Sequence, residues 1–374
     1  MAPHETTSAA LGLGARGITK TCKLVDQEKK DNERSFVANG TFAVDTGKCT
    51  GRSRKDKFLG KQPPSEDHVG WGPRNPPTTA EVVDALIGQG DQALQLCGSN
   101  VRVGRLLSCE NETSRLKVRI STELAWQHHF VTNRFMRPED LSVAEKFHPD
   151  STVIHACNIV DEEWKAHGLH SEVFVLFNIE KHKAIIGGPF YGGDMNEEGH
   201  LQHDELLLAS ERRNDHACVR QDRQGRGHTA IFFGLFGNGK TTLSAEPKRE
   251  LIGDDEHGWD DGVFNFEGGW YAKTIDLSKE KNEPDVFNAI RPNSRLENGW
   301  IDANNEPDYF TSSKTDNGRV LYVPYLAPSA PRTELSRQSS ERCHVSHVRR
   351  VRHCCRLCRN YLRVRRSTTF DQGT

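Results

Sequence analysis

The chain lacks any long apolar run. No stretch of its 374 residues approaches the roughly 18 consecutive apolar residues of a membrane helix, and residues 1–17 lack the basic start and apolar core of a secretory leader. Net charge is also small, because the formal value of -2 gives no overall preference for nucleic acid or acidic membranes. We therefore expect a soluble, cytoplasmic protein with neither nucleic acid nor a membrane as a partner.

A secreted cysteine framework is missing as well. Ten cysteines occur, but six are scattered singly from Cys22 to Cys218 and four crowd between Cys343 and Cys358. Without a leader, this pattern favours reduced thiols. A hydrophobic content of 35% and a charged content of 27% are compatible with folded cores, and 374 residues suffice for two domains.

Hydrophobic periodicity predicts a mixed α/β protein. Thr78 and Glu81 have capping-box spacing ahead of an apolar helical stripe, and residues 123–135 are also helix-like. The segment 196–228 is almost entirely polar and is interpreted as a linker or a defect. Short strand-like runs occur at 116–121, 152–156, 173–177, 184–186, 229–233, 251–252 and 263–266.

A glycine-rich loop is the firmest single motif. GLFGNGKT at 234–241 matches the GxxxxGK[ST] pattern and directly follows the strand predicted at 229–233. Backbone N–H groups of such a loop bind phosphate oxygens, Lys240 adds positive charge, and Thr241 offers a hydroxyl to Mg²⁺. A glycine turn that merely contains a lysine is the alternative. The predicted ATP-binding residues are Gly234, Leu235, Phe236, Gly237, Asn238, Gly239, Lys240, Thr241 and Thr242.

An acidic pair follows the loop. Asp254 and Asp255 come after the short apolar run at 250–252, where a carboxylate at a strand end can meet a metal ion bound to phosphates. Metal binding is the favoured role of this pair. A solvated acidic turn is the alternative.

The region around the loop resembles a known family. Residues 232–291, beginning FFGLFGNGKTTLSAEPKRELIGDDEHGW, are similar to the nucleotide-binding core of ATP-dependent phosphoenolpyruvate carboxykinases. Weaker matches are TGRSRKDKF at 50–58, LKVRISTELAWQHHF at 116–130 and IIGGPFYGGDM at 185–195. The resemblance covers most of residues 40–320.

The resemblance implies an activity and a fold. Such enzymes convert oxaloacetate and ATP to phosphoenolpyruvate, ADP and CO₂, a first step of gluconeogenesis, with Mg²⁺ and Mn²⁺ in a cleft between two α/β domains. Decarboxylation creates an enolate whose charge needs cations nearby, and the enolate oxygen then attacks the γ-phosphate. An inactive ATP-binding fragment or paralogue, or another P-loop kinase, remains the alternative.

Four site residues are implied by motif position. Arg52 would hold a substrate carboxylate, Tyr191 would line the substrate site, and Arg319 would bridge substrate and γ-phosphate. Glu283 would contact the nucleotide. Taken without the family, the two arginines would be surface charges, Tyr191 a half-buried core aromatic and Glu283 a helix-cap carboxylate.

The chain departs from the family after Met195. The family continues with two lysines and a glycine, and the second lysine is a Mn²⁺ ligand, whereas this chain has Asn196, Glu197 and Glu198. Codons for LQHDEL at 201–206, read one base later, can encode the family's FSMMNY. We interpret this as a frameshift, and His216 then lies near the position of the family's metal-binding histidine.

The C-terminal segment departs in the same way. From residue 321 to 374 the chain has eleven arginines, four cysteines and no lysine, and HVRRVRH at 347–353 can encode the family-like TCDAFGT one base later. The alternative, a zinc or nucleic-acid module around Cys355 and Cys358, lacks a second ligand pair. The expected organisation is an N-terminal α/β domain at 1–213, a partial P-loop domain at 214–320 and an aberrant tail at 321–374, so that the nucleotide domain is incomplete.

Overall fold

The structure is a computed structural model. It describes residues 35–51, 55–73, 75–97, 102–107, 115–135, 147–193, 218–222, 229–233, 249–253, 257–260, 262–265, 268–278, 284–292, 294–322 and 342–345. None of the helices in these ranges is both long and apolar enough to cross a membrane.

Strands outnumber helices in the described part of the chain. In chain order the strands are β1 (Ser35–Phe36), β2 (Phe42–Val44), β3 (Lys57–Lys61), β4 (Pro77–Thr79), β5 (Arg102–Leu107), β6 (Lys117–Thr122), β7 (Ser151–Ala156), β8 (Phe174–Asn178), β9 (Lys183–Gly187), β10 (Cys218–Asp222), β11 (Thr229–Phe233), β12 (Arg249–Gly253), β13 (His257–Asp260), β14 (Gly262–Asn265), β15 (Trp270–Lys273), β16 (Arg295–Glu297), β17 (Trp300–Ile301), β18 (Pro307–Asp308), β19 (Arg319–Tyr322) and β20 (Arg342–Val345). The helices are α1 (Ala80–Cys97), α2 (Ala125–Arg134) and α3 (Pro284–Ala289), with a 3₁₀ turn at Ser65–Asp67.

A seven-stranded mixed sheet organises the N-terminal half. Its spatial order is β4-β3-β8-β9-β7-β6-β5. The β8–β9 and β5–β6 pairs are antiparallel, and the other four pairs are parallel. The strands predicted at 116–121, 152–156, 173–177 and 184–186 are confirmed as β6, β7, β8 and β9.

Helix α1 covers one face of this sheet. Its buried Leu86 and Leu94 pack with Phe174 and Leu176 of β8. The predicted helix is confirmed, but the capping residue is not Thr78. The helix begins at Ala80, so Thr79 occupies the capping position and its Oγ1 accepts the backbone N–H of Val82 at 3.3 Å.

Helix α2 covers the opposite face. Phe130 and Val131 belong to the same buried cluster as Val175 and Phe177 of β8. Because successive side chains of a strand alternate between faces, β8 buries one set under each helix and all five of its residues are buried. The helix predicted at 123–135 is confirmed as α2.

A five-stranded sheet packs beyond α2. Its order is β1-β2-β16-β19-β15, so β2 pairs with the early strand β1 on one side and with β16, which follows residue 290, on the other. Phe42 and Leu321 on one face join the core cluster of Phe130. On the other face, Val320 packs with Val286 and Ile290 in and beside α3.

Three smaller sheets complete the described structure. One has the order β12-β10-β11-β20, and β13–β14 and β17–β18 form two-stranded ribbons. The strands predicted at 229–233, 251–252 and 263–266 are confirmed as β11, β12 and β14, although β14 ends at Asn265. The polar segment 196–228 differs from expectation, because its residues Cys218–Asp222 form β10. Backbone hydrogen bonds to strands on both sides form this strand without an apolar pattern.

The division into domains at residues 213 and 320 stays a prediction. The pairing of β2 with β16 joins segments from both sides of the first boundary in one sheet. Likewise, β20 lies within the segment expected to be aberrant and pairs in parallel with β11.

Candidate functional site

Tyr191 follows the sheet strand β9 through a short glycine-containing turn. Gly188 has φ +111, which favours glycine, and its carbonyl lies 3.2 Å from Nε2 of the buried His155. The turn brings Tyr191 to a position where only 1% of its surface is exposed. The residue predicted to line the substrate site is therefore a buried side chain between the two large sheets.

Arg319 lies on strand β19 of the five-stranded sheet, between β16 and β15. The strand register pairs it with Lys273 of β15 on one side and Glu297 of β16 on the other. Side chains at paired positions share a face, so two cations and one carboxylate stand side by side. The Nε of Arg319 donates to Oδ1 of Asn317 at 3.2 Å.

Tyr271 links the two predicted residues. Its ring centroid lies 6.2 Å from that of Tyr191, and the guanidinium carbon of Arg319 lies 5.4 Å from the same ring. A cation over an aromatic face is attracted by the ring quadrupole. Tyr191 and Arg319, which are 128 residues apart by number, thus belong to one cluster.

Glu297 binds the hydroxyl of Tyr271 and the backbone of the Tyr191 turn. Its Oε2 accepts the Tyr271 hydroxyl at 2.8 Å and the Gly192 N–H at 2.9 Å. Burial raises the pKa of the Glu297 carboxyl, and the two hydrogen bonds and the guanidiniums of Arg295 and Arg319 oppose that rise. The carboxylate is a fully buried acceptor in the centre of the cluster.

Burial also shifts the pKa values of the neighbouring Tyr271 and Lys273. Burial first, and the Glu297 charge second, raise the pKa of Tyr271 well above its ordinary value, so its hydroxyl stays a donor. Burial and the nearby Arg319 lower the pKa of Lys273, while Asp316 opposes this. Lys273 and Arg319 are both positively charged and repel each other. The negative charge of a bound phosphate or carboxylate group would stabilise this pair.

Arg134 connects helix α2 to strand β15 of the cluster. It is the last residue of α2, and its Nη1 donates to the carbonyl of Gly269 at 2.7 Å, immediately before β15. Its guanidinium carbon also lies 6.0 Å from the Tyr271 ring centroid. This contact attaches the helix over the seven-stranded sheet to the strand that carries Tyr271 and Lys273.

Sequence reasoning missed four members of the cluster: Arg134, Tyr271, Lys273 and Glu297. The WYAK run at 270–273 carried the only usable signal, because it lies inside the segment that resembles the family. Glu297 gave none, since a single glutamate between a leucine and an asparagine matches no motif.

The other predicted site residues lie outside the described residues. They are Arg52, Gly234, Leu235, Phe236, Gly237, Asn238, Gly239, Lys240, Thr241, Thr242, Glu283, Asp254, Asp255 and His216. Within the described ranges, no group of three or more His, Cys, Asp or Glu side chains is arranged to hold a metal ion. The predicted metal ligands stay predictions.

One described contact approaches the segment before Arg52. Asn317, which binds Arg319, also donates through Nδ2 to the carbonyl of Thr50 at 2.8 Å. A Cβ on Gly51 would lie 3.2 Å from the same Nδ2. The chain thus passes beside Asn317 one residue before Arg52.

Fold and cluster together define a mixed α/β protein with a cationic site between two sheets, a class suited to phosphorylated or carboxylated substrates. The family model for phosphoenolpyruvate carboxykinase matches residues 18–341. The chain belongs to that family. The resemblance drawn from the sequence and the mixed α/β fold class are both confirmed.

Curated relatives agree with the family model. A phosphoenolpyruvate carboxykinase (ATP) of Campylobacter jejuni subsp. doylei is 47% identical over 296 residues, which is 79% of this chain and 55% of the relative. Those of Campylobacter lari and Sulfurimonas denitrificans are 45% and 44% identical over 301 residues, 80% of this chain and 56% of each relative. The chain spans about half the length of the curated relatives it matches.

Proposed function

We propose that this chain acts as an ATP-dependent phosphoenolpyruvate carboxykinase, converting oxaloacetate and ATP to phosphoenolpyruvate, ADP and CO₂. Family membership supports the reaction, as do relatives named for it. The observation that carries the proposal is the pairing of Lys273 and Arg319 on adjacent strands, in a cluster that reaches Tyr191 through Tyr271. This pairing provides two positive charges in the same cluster as the aromatic residue implied to line the substrate site.

Each described side chain has a role that suits its chemistry. Arg319 can bind a carboxylate or phosphate with two parallel N–H groups, and Lys273 adds a point charge beside it. Both would stabilise the negative charge of the enolate oxygen and of the γ-phosphoryl group that it attacks, while the P–O bond to ADP breaks and the leaving charge goes to ADP. The buried Tyr191 and the partly buried Tyr271 reduce the contact of these charges with water, which strengthens their interactions.

The remaining site residues are proposed from the family motifs. Residues 234–242 and Glu283 would hold ATP, and Arg52 would hold a substrate carboxylate. Mg²⁺ and Mn²⁺ would be bound by Thr241, Asp255 and His216, with Asp254 behind them. These ions would supply positive charge to the phosphates and the enolate. We also propose a cytoplasmic location, since the six singly scattered cysteines from Cys22 to Cys218 favour reduced thiols.

The first test is the forward reaction on the full chain. Oxaloacetate, ATP, Mn²⁺ and Mg²⁺ are supplied, and phosphoenolpyruvate is measured. We expect product, and we expect Arg319→Lys to lose about 10- to 100-fold in kcat/KM because the two-pronged contact is removed. The control Lys314→Gln, an exposed residue that pairs with Asp45 at 3.1 Å, should leave the rate unchanged.

The same assay separates the alternative function. A chain that binds ATP but forms no phosphoenolpyruvate, and does not exchange bicarbonate into oxaloacetate, would be an inactive ATP-binding member of the family. The family's lysine ligand to Mn²⁺ is replaced in the Asn196–Glu197–Glu198 segment, which is why this outcome is worth testing. Bicarbonate exchange would refute the inactive alternative.

A further inference from the structure

Glu297 is a buried acid that neither the family motifs nor the proposed binding roles include. Its side chain is fully buried, with 0% of its surface exposed. One carboxylate oxygen, Oε2, accepts two hydrogen bonds, from the backbone of Gly192 and the hydroxyl of Tyr271. The other oxygen, Oε1, is buried without a hydrogen-bond partner among the described residues.

The carboxylate fits closely against Gly192. A Cβ at that position would lie 2.6 Å from Oε1 of Glu297 and 2.2 Å from a ring carbon of Phe130. No side chain can occupy this space, so the close approach of the Glu297 carboxylate requires glycine at position 192. The glycine allows the carboxylate to approach the backbone of the turn that carries Tyr191.

Burial at position 297 is energetically unfavourable for a carboxylate. Burying a carboxylate costs several kcal/mol unless charges and hydrogen bonds compensate. Here Arg295 and Arg319 favour the charged form, but one oxygen is left without a donor in the described structure. An apolar side chain would fill a sheet core at lower cost, which indicates a role other than packing.

We propose that Glu297 is a positioning residue for the reaction, holding the Tyr191–Gly192 turn and the Tyr271 hydroxyl on a single carboxylate oxygen. The turn extends from the seven-stranded sheet, whereas Tyr271 and Glu297 belong to the five-stranded sheet. The bond therefore fixes Tyr191 relative to Arg319, which lies beside Glu297 on the adjacent strand. This inference rests on the proposed function.

The test compares two substitutions with different remaining contacts. Glu297→Gln keeps an oxygen that can accept both hydrogen bonds, whereas Glu297→Leu keeps the volume and removes the acceptor. We expect Glu297→Leu to lower kcat/KM for oxaloacetate by about 10- to 100-fold, the value of a hydrogen bond to a charged group. The KM for ATP should stay unchanged, and Glu297→Gln should recover most of the loss.

A second readout does not depend on activity. Amide hydrogen exchange at Gly192 should become faster in Glu297→Leu and stay close to wild type in Glu297→Gln. Tyr271→Phe, which removes only the second donor, should leave the Gly192 amide protected. The matched control Glu306→Gln replaces an exposed glutamate and should change neither exchange nor kinetics.

Each contrary outcome is decisive. Unchanged Gly192 exchange in Glu297→Leu would overturn the anchoring role, and equal losses for both substrates would reduce Glu297 to a general stabiliser of the sheet. If Glu297→Leu fails to fold, Glu297→Met, which also lacks the acceptor for the Gly192 N–H, is measured in its place and decides between the same results. A wild-type chain that makes no phosphoenolpyruvate would refute the proposed function and the positioning role in it, while the exchange data would still decide whether Glu297 anchors the turn.

Discussion

His155 makes the stability of this protein depend on pH in a calculable way. The side chain is fully buried in β7, and Nε2 lies 3.2 Å from the carbonyl of Gly188 while Nδ1 has no partner in the described structure. Burial lowers the pKa of His155 from 6.5 to about 4, and the Gly188 hydrogen bond opposes this only in part. The folded protein therefore holds a neutral imidazole at a pH where the unfolded chain binds a proton.

The direction and size of the change in unfolding free energy with pH follow from the difference between the folded and unfolded pKa of His155. Because the folded pKa is depressed, the stabilisation is complete above about pH 6.5 and is lost as the pH falls through 6.5 toward 4. Between pH 7 and pH 5 the free energy of unfolding should fall by about 2 kcal/mol from this residue alone. Glutamine at position 155 can still donate to Gly188 but does not titrate.

Denaturant unfolding at pH 7, 6 and 5 measures the effect. We expect His155→Gln to reduce the loss of unfolding free energy between pH 7 and pH 5 by about 2 kcal/mol relative to wild type. The control His148→Gln replaces an exposed histidine and should retain the wild-type slope. Equal slopes for wild type and His155→Gln would refute the assignment of a neutral buried imidazole.

Two further predictions concern packing and thiol chemistry. Gly187→Ala should lower the unfolding free energy by about 1–3 kcal/mol, since the new Cβ would lie 2.4 Å from the Phe174 ring. In the control Gly88→Ala in α1, the new Cβ meets nothing within 4 Å, so this variant should be neutral or stabilising in the same denaturation assay. Equal losses of unfolding free energy in the two variants would contradict the reasoning. Cys157 should react with iodoacetamide more slowly than Cys49, because burial and then the hydrogen bond to Glu123 raise the pKa of its thiol. Mass spectrometry of the alkylated peptides measures both rates, and a faster reaction at Cys157 would contradict this.

Local patterns predicted local structure well. The apolar stripe of α1, the strand β8 and the strand β11 before the glycine loop could all be identified from residues close in sequence. Thr78 was assigned as the cap in place of Thr79 because several threonines and an acid lie close together, and spacing alone does not fix the first helical residue. The segment at β10 was missed since its pairing depends on backbone groups, which no side-chain pattern reports.

Long-range pairing was beyond the same reasoning. Phe42 lies opposite Arg295 in a parallel strand pair, and nothing in either segment specifies the other. The cluster around Tyr271 depends on this sheet, because Glu297 and Arg319 are neighbours only after β16 and β19 have paired. The family motifs drew attention to Tyr191 and Arg319, whereas no pattern in the sequence pointed to Glu297, which contacts the turn after Tyr191.

The segment that precedes residue 52 is attached to the residues beside Glu297 and Arg319. The backbone N–H of Thr46 donates to Oδ1 of Asn298 at 2.8 Å, and Asn298 follows Glu297 directly. Asn317 then binds the carbonyl of Thr50. The early segment is thus attached to the five-stranded sheet at two points before residue 52. Because Asn317 also accepts a hydrogen bond from Nε of Arg319, the described chain up to Gly51 is held beside the strand that carries Arg319.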